Sequence, residues 1–146
     1  MPIRRRGSRT GRATRALRAR RLARRPSDDL FERVVASVIA TIPSPFDRAL
    51  DEVAIVIEDE PSPQQRRDND LRRDQTLYGL YEGVPRIEWG ADAFPIANKI
   101  SLFRIPLEED FPDEDDLADE IRITILHELA HHLGIDDDRL DELGME

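Results

Sequence analysis

The chain has 146 residues, enough for one domain of ordinary size, and its 39% hydrophobic and 36% charged residues suit a modest core under a heavily ionised surface. It contains no cysteine, which excludes disulfides, thiolate metal ligands and a cysteine nucleophile, and a reducing cytoplasm is the expected compartment. The net charge of −9 hides a division: residues 1–25 hold 11 Arg and no acid, leaving 11 of the 22 Lys and Arg against all 31 Asp and Glu, a formal charge of −20.

A part so acidic repels nucleic-acid phosphates and anionic lipid, and suits cations and basic or neutral substrates. No apolar run approaches the roughly 18 residues that cross a bilayer, and nothing at the N-terminus resembles an export signal, so no membrane partner is expected. Residues 1–26 are Arg-rich and nearly free of large apolar side chains. They cannot bury enough surface to offset their ordering entropy, and are expected to form a tail disordered when alone, ahead of a domain over 27–146. Such a tail is a solvated extension, the one segment able to touch nucleic acid, or an arm that folds back on the acidic domain.

Ser27 is expected to cap a first helix with Asp28 and Asp29 in its first turn, where acids favour the helix dipole. Phe31, Val34, Val35, Val38, Ile39 and Ile42 recur at helical spacing until Pro43 and Pro45. The β-branched run Val53–Ile57 predicts a strand covered on both faces, ended by Pro61 and Pro63, and 64–74 reads as a polar loop. Residues 76–84, with Leu77, Tyr78, Leu80 and Tyr81 around Gly79 and Gly83, predict an irregular or edge strand. A further strand is expected over 99–105, stopped by Pro106, and an acidic loop over 108–116. The last helix runs from Asp113 or Asp116 to Leu133, with Gly134 as its stop. This order predicts an α+β domain, a small mixed β-sheet packed with an N-terminal helix and a second helix that carries the chemistry.

That second helix holds all three histidines of the chain, in His127-Glu128-Leu129-Ala130-His131-His132. His127 and His131, one turn apart, lie on one face and can converge on a single ion, most suitably zinc. Glu128 points about 100° further round and can reach a water on that ion without ligating it. The helix is otherwise apolar over a broad arc that includes Leu117, Ile121, Ile125, Leu129 and Leu133. His132 falls in that arc and reads as a core histidine or one that supports the ligands from behind, not as a ligand. Gly134 can turn the chain back beneath the ion, which offers Asp136, Asp137 or Asp138 as a third ligand, with Glu142 less well spaced. Tyr78 and Tyr81 are candidates for stabilising an oxyanion, although packing is the commoner role of such residues.

The stretch from His127 through Gly134 to Asp137 resembles the extended signature of the metzincins, with aspartate in place of the last histidine. From residue 28 onward the chain is similar to the minimal bacterial zincin-like metallopeptidases, through Leu77-Tyr78-Gly79-Leu80-Tyr81-Glu82-Gly83 and Arg139-Leu140-Asp141-Glu142-Leu143-Gly144 as well as the histidine helix. The resemblance implies a zinc-dependent peptidase acting on a peptide or protein, with His127, His131 and Asp137 as metal ligands and Glu128 as general base. A metal-stabilised interaction module without catalysis is the alternative from another class.

Overall fold

The computed structural model describes residues 4–5, 26–83, 98–135 and 138–139, with side chains described from Asp29 onward. Helix α1, Pro26–Ile39, presents Phe31, Val34, Val35 and Val38 to the core on the expected spacing. It begins at Pro26, so Ser27 lies inside the helix instead of capping it. Proline suits a first helical turn because its missing N–H has no partner there in any case. A short helix α2, Phe46–Ala49, and a 3-10 turn, Leu50–Glu52, lead into strand β2, Ala54–Glu58.

β2 is not the doubly covered strand that its composition suggests. In the three-stranded sheet it forms one edge, half-buried along most of its length, and the central strand is β5, Lys99–Phe103, where four of five residues are buried. β2 runs parallel to β5, and β4, Gly79–Glu82, runs antiparallel to it on the other side. Register sorts the side chains by the two-residue alternation of strands. The row Ile55, Ile100 and Tyr81 joins the main core with Ile57 and Leu102, whereas Leu80 and Phe103 face the other way and form a second cluster with Leu77.

Two connections differ from expectation. Residues 64–68, read as loop, belong to helix α3, Pro63–Asp68, started by a capping box in which the Ser62 hydroxyl accepts from Gln65 N–H and the Gln65 side chain accepts from Ser62 N–H. Pro106 does not stop a strand either. β5 ends at Phe103, and Pro106 lies in the first turn of helix α4, Arg104–Asp110, where proline leaves no helical hydrogen bond broken. The acidic stretch over 108–116 is thus divided between α4 and the start of the last helix. Arg4–Arg5, here β1, pair antiparallel with Gln75–Thr76, β3, a backbone contact of the fold-back kind.

Helix α5, Glu114–His132, packs on α1 and on the sheet. Its approach to β4 depends on Gly79. A Cβ there would stand 2.5 Å from Thr124 Cγ2, closer than unbonded atoms tolerate, and in tight contact at 3.1 Å with the Ser101 carbonyl oxygen. Gly79→Ala is therefore expected to cost about 1–3 kcal/mol, as overpacking does. Chemical denaturation measures it, and Thr124→Ser, which deletes the obstructing methyl, should recover part of the loss; strictly additive effects would place the strain elsewhere. Among the described residues no helix is long and apolar enough to cross a membrane.

Candidate metal centre

α5 is held at both ends by local chemistry. Asp113 accepts from the backbone N–H groups of Asp115 and Asp116, and Glu114, Asp115 and Asp116 line the positive first turn. At the other end Gly134 takes a left-handed φ of 79°. The Gly134 N–H donates to the His131 carbonyl and the Ile135 N–H to the Ala130 carbonyl, the paired bonds of a Schellman close. Ile135 then packs against the core, so the chain does turn back under the helix end.

Between these ends Ile121, Ile125, Leu129 and Ala130 are wholly buried, while His127 and His131 are half-buried on one face. Their ring centroids lie 6.1 Å apart with planes at 89°. An imidazole-bound zinc sits about 2.0–2.1 Å from nitrogen, hence roughly 3.2 Å from the ring centre, so two rings sharing a tetrahedral ion have centres about 5.2 Å apart. The observed pair is wider than that, and the two rings meet one ion by turning toward each other on the shared face.

Glu128 is 0% exposed. Its Oε2 stands 2.9 Å from His131 Nδ1, an ion-pair distance, but the approach misses hydrogen-bond geometry, and neither carboxylate oxygen has a hydrogen-bond donor among the described residues. A buried carboxylate kept in that state is costly, on the order of 1–3 kcal/mol or more. It suits a site whose missing donor arrives with a ligand. The donor set of two imidazoles and an orphaned carboxylate therefore fits a divalent ion and its water.

The three residues of the helix motif come together as the spacing implies. Asp136 and Asp137 lie outside the described residues, and Asp138 is exposed. Among the described residues no three His, Asp or Glu side chains are grouped to hold an ion, so the third ligand is a matter of sequence alone.

His132 is the core histidine expected, 0% exposed, with its Nε2 2.7 Å from Glu52 Oε2 and its Nδ1 2.9 Å from the Tyr81 hydroxyl. The Tyr81 hydroxyl also stands 3.0 Å from Asn98 Oδ1. Tyr78 turns to α4 instead, donating to the Asp110 carboxylate and resting edge-on against Phe111 at 5.4 Å. Sequence reasoning missed Glu52 and Asn98. They lie 80 and 34 residues from His132 in the chain, and only the fold brings them near it.

The model of the family described as zincin-like metallopeptidase matches residues 50–145. No match is found among curated proteins.

Proposed function

Since the chain belongs to the zincin-like metallopeptidase family, we propose that it is a zinc-dependent peptidase in which His127, His131 and Asp137 hold the metal and Glu128 is the general base. The observation that carries this reading is the Glu128 carboxylate, buried beside the histidine pair with no hydrogen-bond donor to either oxygen. Zinc held there would supply Lewis acidity, polarising a peptide carbonyl and easing the ionisation of water.

The chain's own residues do the rest. Glu128 accepts the proton of the attacking water and passes it to the leaving amine, and its burial keeps bulk solvent from competing for that proton. β4 is an edge of the sheet among the described residues, packed against α5, and an extended peptide can add to it as a further strand through backbone hydrogen bonds. That edge supports a peptide or protein as the substrate. The acidic surface favours basic or neutral sequences over acidic ones. Any nucleic-acid contact is assigned to the Arg-rich residues 1–26.

The reading is tested by removing zinc from the full-length protein with a chelator and assaying cleavage of a peptide library before removal, after it and after zinc is restored. Hydrolysis should disappear and return with the metal. Full activity of the metal-free protein would sink it. The burial of Glu128 also favours a second reading, a closed metal site in a non-catalytic interaction module. In that case chelation lowers the melting temperature and no peptide is cleaved in any state.

A further inference from the structure

His132 takes no part in the chemistry just described, yet its surroundings are among the most organised in the molecule. The ring is wholly buried and engaged at both nitrogens, by the Glu52 carboxylate, which accepts from Nε2, and by the Tyr81 hydroxyl at Nδ1. Tyr81 and His132 also pack ring against ring, with centroids 5.5 Å apart. Each partner comes from a different part of the sheet. Glu52 closes the 3-10 turn that leads into β2, Tyr81 belongs to β4, and Asn98, beside the Tyr81 hydroxyl, immediately precedes β5. Asn98 is itself tied to β2, since its carbonyl accepts from Ala54 N–H at 3.0 Å.

His132 is the last residue of α5, and His131 stands next to it in the same final turn. The Schellman close pairs the Ala130 and His131 carbonyls within the chain but does not set how the last turn sits against the sheet. A metal ligand there gains from a restraint outside the helix. A buried polar chain contributes little net stability compared with apolar side chains of the same shape, but it fixes orientation in a way that apolar packing does not.

We infer that Glu52, His132 and Tyr81 are positioning residues, a chain that fixes the last turn of α5 against the sheet and so sets the placement of His131 and Glu128 relative to the edge strand β4. The inference rests on the reading of His127 and His131 as metal ligands. Tyr81 has a double part in it, since its backbone forms the edge that an extended peptide would join while its hydroxyl holds the helix.

The test uses full-length Tyr81→Phe, which removes the hydroxyl, and Glu52→Gln, which removes the charge that strengthens the bond to His132, each with little change in side-chain shape. Zinc affinity is measured by competition with a chromophoric chelator, and the melting temperature is measured on metal-free protein. Each variant should bind zinc about tenfold more weakly, the lower range for loss of outer partners of a metal site, while its metal-free melting temperature stays within a few degrees of wild type. Wild-type zinc affinity in both variants overturns the inference. So does loss of fold in both, which assigns the chain to stability alone. His131→Ala separates the two levels of the argument: retention of wild-type affinity in that variant removes the ligand reading and the inference with it, whereas loss of zinc there with wild-type affinity in Tyr81→Phe and Glu52→Gln removes only the inference.

Discussion

Glu128→Gln is expected to lower the rate of peptide hydrolysis by about a thousandfold, within the range by which a placed general base accelerates proton transfer, while leaving zinc content per chain unchanged. The amide has nearly the same shape as the carboxylate and occupies the same buried position, so packing of α5 is retained. It cannot take a proton from water, and that single loss separates it from the wild type. Parallel measurement of kcat and of zinc by elemental analysis decides the matter. An equally fast variant would remove Glu128 from the role of base, and a variant that lost zinc would make it a ligand.

His131→Ala is expected to have the second large effect, on the metal itself. Wild-type protein should carry one zinc per chain and the variant close to none, with hydrolysis lost in parallel. A thermodynamic counterpart follows from linkage. Free zinc at one hundred times its dissociation constant stabilises the folded state by about 2.7 kcal/mol, on the order of 10 °C in melting temperature for a domain of this size. Scanning calorimetry with and without zinc should show that rise for wild type and none for His131→Ala. Equal rises would mean that the ion sits elsewhere.

The elements that carry the candidate site were legible in the sequence because their signals are local. α5 announces itself through the acids of its first turn, the apolar spacing from Leu117 to Leu129 and the Gly134 stop, and the structure settles its start, left between Asp113 and Asp116, with Asp113 as the cap. α1 is read as easily from Phe31, Val34, Val35 and Val38. Misreadings arose where composition was ambiguous. The β-branched run of β2 looks the same at a half-covered edge as at the centre of a sheet, and only pairing identifies β5 as central. Pro106 ends a strand or opens a helix with equal ease. The Ser62 and Gln65 capping box was present in the sequence but lay in a charge-mixed stretch that reads as loop.

The candidate site divides in the same way. The pairing of His127 with His131 and the nearness of Glu128 follow from one helical turn. The Glu52 and Tyr81 contacts of His132 depend on tertiary closure between residues far apart in the chain. Asp137 is proposed as a ligand from the family resemblance and the Gly134 turn.

The seating of α5 on β4 has a consequence for anyone who wishes to retune the protein. Where Gly79 meets Thr124, a missing side chain sets how deeply the helix sits, and on the strand side any substitution can only thicken the contact. Altered selectivity would therefore have to be sought along the outer rim of Gly79–Glu82 and in the segments that flank it, with the floor between strand and helix left as it is.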